Sequence, residues 1–244
     1  MDRPTHPERA FMSDRHALPL YIQLSEMLIR EIKAGRYSEG ERLPPERDMA
    51  ASLGTSVGTL RKALADLTDK GMLERRQGSG NYVRARSDAK SVYAFFRVEL
   101  IGGGGLPRAD LLSFDACPKS AAPAPFGAAD RAYRIRRLRS LNRQPAVLEE
   151  IWLDGAFADG IDPDDLSESL YLFYRERLDL WITRVEDRLA VGAVPHWAPA
   201  TFGVRPGATA LVAERRGWAQ DGREAELSLN WIDTSVAVYV SRHG

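Results

Sequence analysis

The chain has 244 residues, 44% of them apolar, with 34 Lys and Arg against 34 Asp and Glu, so its formal net charge is zero. That is a globular composition of two-domain length; no apolar run nears the ~20 residues of a membrane helix, and the polar first residues lack an apolar signal core, so a cytoplasmic protein without membrane contact is expected. One cysteine, Cys117, excludes an intrachain disulfide, and with four scattered histidines it gives no zinc site, so neither metal nor other cofactor is expected.

Zero charge argues against nucleic acid only if it is uniform. Residues 1–86 carry 15 basic and 12 acidic side chains, and residues 87–244 carry 19 and 22. A mildly basic N-terminal third is joined to a mildly acidic remainder, a difference that speaks to partners and not to fold.

Residues 1–17 lack periodicity and read as a disordered arm. From Pro19 onward, Leu20, Leu24, Met27, Leu28 and Ile32 recur at helical steps, and Gly35 supplies a left-handed cap. After a loop over residues 37–45, Pro45 opens a short helix over 46–53, ended by Gly54. Thr55 or Ser56 caps a third helix running to Lys70, with Leu60, Leu64 and Leu67 inward. Two short strands follow, 72–76 and 81–84, joined by Gln77-Gly78-Ser79-Gly80. Two helices around a glycine turn, then a hairpin, make a winged helix-turn-helix.

In that geometry the third helix enters the major groove, and its outward front residues are Ser56, Val57, Gly58, Thr59, Arg61 and Lys62. Arginine forks onto guanine, and a wing tip without side chains lies flat on a sugar-phosphate wall. Taken singly, Arg47 reads equally well as a solvated helix charge, and Gly78 with Gly80 as a plain hairpin turn.

The joint pattern is specific. Pro19-Leu20-Tyr21 with Gln23, Leu43-Pro44-Pro45-Glu46-Arg47, Gly54-x-Ser56-x-x-Thr59-Leu60-Arg61-x-Ala63-Leu64, Gly71-Met72-Leu73 and Gly78-Ser79-Gly80-Asn81-Tyr82-Val83 stand in order over nearly 70 residues. Residues 18–84 thereby resemble the winged-helix domain of the GntR family of bacterial transcription regulators. The resemblance implies contacts to double-stranded operator DNA from Arg47, Thr59, Arg61 and the wing tip, with Ser56, Val57, Lys62, Gln77, Gly78, Ser79 and Gly80 beside them. Many members carry an arginine where this chain has Val57. Either that base contact is lost or Val57 touches a thymine methyl instead.

Residues 85–91 are short and polar, carry both charge signs, and read as the linker before a domain over 92–244. There the pattern predicts a short helix over 92–100, a strand over 111–116, and a hairpin of strands 133–141 and 146–153 about Asn142-Arg143-Gln144-Pro145. A helix over 165–178, a strand over 180–194 and a short helix over 195–202 follow. A hairpin of 210–218 and 224–233 about Asp221-Gly222 comes next, and a last strand, 236–241, closes the sheet.

On the strand 133–141, Arg137 and Arg139 share one face with Ile135 and Leu141, and the hairpin brings Glu149 or Glu150 near. Two guanidiniums are a receptor for phosphate or carboxylate, each forking onto two oxygens. The plainer reading is a solvated sheet face with cross-strand ion pairs. His196 has no partner acid and reads as a surface residue.

Arg134-Ile135-Arg136-Arg137-Leu138-Arg139, Gln144-Pro145-Ala146-Val147-Leu148-Glu149-Glu150, Ser169-Leu170-Tyr171, Phe202-Gly203-Val204 with Pro206-Gly207-Ala208, and Arg215-Arg216 resemble the UTRA domain that follows the winged helix in HutC-type GntR regulators. The resemblance implies an α+β protein: an N-terminal winged helix-turn-helix and a mixed antiparallel sheet of chorismate-lyase-like fold. It implies that Arg137, Arg139, Glu149 and Tyr239 line an effector cavity. Members that bind sugar phosphates often present Ser or Thr on this domain's first helix, where this chain has Tyr93-Ala94-Phe95-Phe96. That departure favours a carboxylate or a more apolar metabolite over a phosphosugar.

The expected protein is a homodimeric repressor without enzymatic activity, released from its operator by a small anionic metabolite bearing a carboxylate or a phosphate. Two other classes stand beside it: a DNA-binding dimer whose second domain senses nothing, and a lyase-like enzyme using Arg137 and Glu149.

Overall fold

The computed structural model describes residues 18–33, 35–84 and 95–241. The arm 1–17, the linker 85–91, and Tyr93 and Ala94 lie outside them.

The first unit follows the pattern. Helix α1 (Leu20–Lys33) begins beside Pro19 and ends at Gly35, whose φ of 73° lets its amide reach the Ile32 carbonyl at 2.9 Å. Helix α2 (Glu46–Ser52) follows Pro45. Helix α3 (Val57–Asp69) is capped by Ser56, whose hydroxyl accepts the Thr59 amide at 3.0 Å. Such a cap contributes about 1 kcal/mol. Leu24, Leu28 and Ile29 of α1 meet Leu60, Leu64 and Leu67 of α3 in one core, so α3 is held by α1. Strands β1 (Leu73–Arg76) and β2 (Gly80–Val83) form the wing, pairing Arg76 with Gly80 at its tip.

The second unit is a six-stranded antiparallel sheet in the order β4-β5-β6-β9-β8-β7. Its strands are β4 (Pro107–Pro118), β5 (Arg131–Leu141), β6 (Gln144–Asp154), β7 (Arg184–Ala193), β8 (Thr209–Trp218) and β9 (Glu224–Ile232). The β5–β6 turn is the pair Asn142-Arg143 alone, with φ of 50° and 67°, the left-handed geometry of a two-residue hairpin. Gln144 and Pro145 therefore belong to the strand, and the register slips between Arg139 and Ser140, where Pro145 pairs.

Four expected elements are corrected. The helix over 92–100 is absent from its described part; Val98–Leu100 is a strand, β3, paired with β10 (Ala237–Tyr239) in a separate two-stranded sheet. Consequently 236–241 does not close the main sheet: Asp233 accepts the Ser235 amide and hydroxyl, turning the chain off β9. The helix over 165–178 shortens to α4 (Leu170–Arg177), because Pro163 starts a separate turn and Ser169 caps α4. Between Pro195 and Phe202 only Ala200–Phe202 is helical, as a 3₁₀ turn after Pro199. Helix α4 packs Leu170, Phe173 and Tyr174 on the sheet against Ile135, Ile151 and Leu153.

Candidate functional site

Two sites take shape, one in each unit. In the first, the front of α2 and α3 and the wing enclose a groove lined by Arg42, Arg47, Arg61, Arg75, Arg76 and Gln77 through Asn81. Arg61 is exposed, its Nε 2.6 Å from Oε2 of Glu46, a bond that ties its side chain to α2. Gly78 sits at φ 72° and Gly80 at φ 124°, and a Cβ on Gly80 would come 3.1 Å from Nε of Arg42. The tip is braced from inside by Ser79 Oγ and the Tyr82 hydroxyl, 2.7 Å apart, while Arg76 lies 4.1 Å from the Tyr82 ring centre.

The groove brings together Arg47, Arg61, Gln77, Gly78, Ser79 and Gly80 of the expected set. Ser56, Val57, Thr59 and Lys62 do not line it. Ser56 and Thr59 share a hydroxyl contact of 2.8 Å besides the cap, and Val57 is half-buried against the core. Sequence reasoning missed Arg42, Arg75 and Arg76; the run Arg75-Arg76 beside the wing glycines was the available signal.

The second site is a half-open cavity over β5, β6, β8 and β9, roofed by α4 and Phe96, with an empty volume, mouth included, of about 470 Å³. Arg137 stands opposite Glu149 in the β5–β6 register. Arg137 Nη2 is 2.7 Å from Glu149 Oε2, and Arg139 Nε donates to Oε1 at 2.7 Å. All three side chains are under a tenth exposed. Burial alone would raise the Glu149 carboxyl, but Arg137 and Arg139 hold it down at about 2. Burial lowers Arg137, partly offset by Glu149. Alternation thus resolves the glutamate pair: Glu149 points into the cavity, while Glu150 accepts from Arg136 at 2.7 Å and from Trp152 Nε1 at 3.2 Å.

Across the floor, Arg215 donates to both oxygens of Asp187 at 2.6 and 2.7 Å. Burial opposes that charge, yet the Asp187 bonds hold Arg215 raised. Glu226 accepts from Tyr174 at 2.9 Å and Tyr171 at 3.0 Å; burial raises its carboxyl against those bonds. Ser169, Ser228 and Asn230 add neutral hydrogen-bonding groups to the wall.

Tyr239 stands behind the wall: its hydroxyl donates to Asp187 at 2.5 Å, one step from Arg215, and burial followed by Asp187 pushes it up to about 12. Its strand pairs with β3 in the two-stranded sheet. Sequence reasoning missed Arg215, Glu226, Tyr171 and Phe96 as lining residues. His196 is exposed. Among the described residues no three His, Cys, Asp or Glu are grouped to hold a metal ion, and no helix is long and apolar enough to cross a membrane.

Comparison with known proteins matches both units. The family profile "Bacterial regulatory proteins, gntR family" covers residues 20–83, and that of the UTRA domain covers residues 103–236. The HTH-type transcriptional regulator SmoD of Agrobacterium fabrum is 56% identical over 93% of this chain and 97% of its own. The HTH-type transcriptional repressor NagR of Bacillus subtilis is 26% identical over 86% and 88%. The crystal structure of YydK from Bacillus subtilis superposes with a TM-score of 0.52 at 21% identity, over 92% of this chain and 99% of that one, which shows a shared fold.

Proposed function

This chain belongs to the gntR family of bacterial regulatory proteins and carries a UTRA domain, and on that premise we propose that it is a repressor whose hold on its operator is released by a small anion bound at Arg137 and Arg139. As a DNA-binding transcription regulator of the HutC type it does no chemistry on that molecule; its relatives and the folds it matches are regulators. A repressor among them, NagR, supports the sign of the response.

The observation that carries the reading is the shared carboxylate. Arg137 and Arg139 converge on one Glu149, two cations sharing a carboxylate in a buried pocket, where charge is worth more than in water. A carboxylate or phosphate bearing hydroxyls would take the guanidiniums and leave its hydroxyls to Ser169, Ser228 and Asn230.

At the other end, Arg47 and Arg61 would enter the major groove and the wing backbone would lie along phosphates. Ser56, Thr59 and Lys62, at the front of α3 beside the groove, would face the DNA with them. An operator with two half-sites needs two copies of the chain. Edge strand β7 supports the pairing: it has a free side in the sheet order and exposes Leu189 and Val191, the latter at 73%. Antiparallel pairing of β7 with its copy about a two-fold axis would join two sheets and cover both residues. Edge β4, by contrast, begins and ends in proline and carries a bulge between Leu111 and Ser113, devices that block pairing.

The test is a thermal-shift panel of carboxylates and phosphorylated metabolites on the full chain, followed by DNA binding to upstream fragments with and without each hit. An anion should raise the melting temperature and weaken DNA binding, and Arg137→Ala should remove both effects. A hit that stabilises the chain and leaves DNA binding unchanged refutes the sensor reading.

A further inference from the structure

We infer that Phe96 is a positioning residue through which occupancy of the cavity reaches the DNA-reading unit, a proposal that rests on the cavity being the effector site. The Phe96 ring lines the cavity. The guanidinium carbon of Arg139 lies over that ring, 5.0 Å from its centre. A second guanidinium, that of Arg30, lies over the same ring at 5.2 Å. Arg139 belongs to the cavity; Arg30 belongs to the last turn of α1 in the winged helix. One aromatic ring therefore serves two cations from two units.

The physics of that arrangement is differential. A guanidinium over a benzene ring is drawn to the ring face, more strongly the more it is desolvated. An anion that draws Arg139 off the ring changes what the ring offers Arg30. The displacement has a rigid place to go: Arg30 also donates to the Gly105 carbonyl at 3.1 Å, and α1 shares its core with α3, which carries Arg61.

A second contact runs alongside. Arg137 Nη1 donates to the Glu168 carbonyl at 3.1 Å. The Glu168 carboxylate takes the Leu18 amide, and the Leu18 carbonyl takes Gln23 Nε2 of α1 at 2.5 Å. The two cavity arginines thus reach α1 near its two ends. Spatial connection alone does not establish coupling, so the test must move one end and read the other.

The experiment is amide hydrogen exchange of α1 in the full chain. Arg139→Gln perturbs the cavity without any ligand. It should change exchange in the last turn of α1 about three- to tenfold. In a Phe96→Leu background, which keeps an apolar side chain and removes the ring face, the same substitution should change it less than twofold. A Phe96→Tyr background should restore the full effect. An effect equally large with Phe96→Leu, or no effect in any background, overturns the proposal. A parallel arm guards against misfolding: sodium sulfate against sodium chloride at equal ionic strength, on the unmutated chain and on Phe96→Leu. Sulfate-dependent exchange in α1 that survives Phe96→Leu also overturns it. An Arg139→Gln effect that requires the ring, with no sulfate response, supports the coupling and counts instead against the anion reading of the cavity.

Discussion

Arg137 and Glu149 face each other across β5 and β6, and two nitrogens of the arginine, Nε and Nη2, reach the same oxygen at 2.9 and 2.7 Å. A pair this buried is held by geometry, because each ion has lost its water. Glu149→Gln would leave Arg137 and Arg139 side by side without their carboxylate. The expected loss is on the order of 3 kcal/mol in urea unfolding of the full chain, as for other broken buried pairs. An unchanged unfolding midpoint would show that the two arginines do not depend on Glu149.

The same carboxylate predicts an acid limb. Its folded value, about 2, lies below the 4.5 of an unperturbed glutamate. A depressed carboxylate contributes stability above its unfolded value and loses it as pH falls toward the folded one. The contribution, on the order of 3 kcal/mol, should be present at pH 5 and fade between about 4.5 and 2. Unfolding free energies across that window, with Glu149→Gln as reference, check it: the variant should show a shallower slope.

Arg61, tied to α2 by Glu46, should carry base recognition. Arg61→Ala should cost about 1–3 kcal/mol of operator affinity and leave the oligomeric state unchanged. Fluorescence anisotropy on operator and scrambled duplexes measures it; equal losses on both would make Arg61 a phosphate contact instead.

Strand β7 makes a prediction about assembly. Val191→Glu puts a charge on the most exposed large apolar residue of the sheet edge. Sedimentation velocity should show the unmutated chain as a dimer and the variant shifted to monomer at micromolar concentration. A dimer that persists in the variant places the two-fold axis elsewhere.

The winged helix was legible almost residue by residue, because its signals are local: Gly35, Gly54 and Gly71 end helices, and Ser56 caps one. In the second unit the strands of the β5–β6 hairpin were legible from their alternation, but the turn read as four residues, Asn142 to Pro145, where the structure has two. The pairing of β3 with β10 was not legible, because residues 98–100 and 237–239 are far apart in sequence and each strand is too short to show a period. Arg215 was overlooked because its inward face depends on β8 pairing with β9. Glu149 and Glu150 could be separated only once Pro145 shifted the register by one.

The carboxylate that steadies Arg137 and Arg139 also occupies the forks an incoming anion needs. An anion bound at Arg137 and Arg139, as proposed, would therefore meet a tethered competitor. Because Glu149 is part of the chain, its pull would set the concentration at which such an anion takes hold. Weakening that pull, as in Glu149→Gln, would lower that threshold.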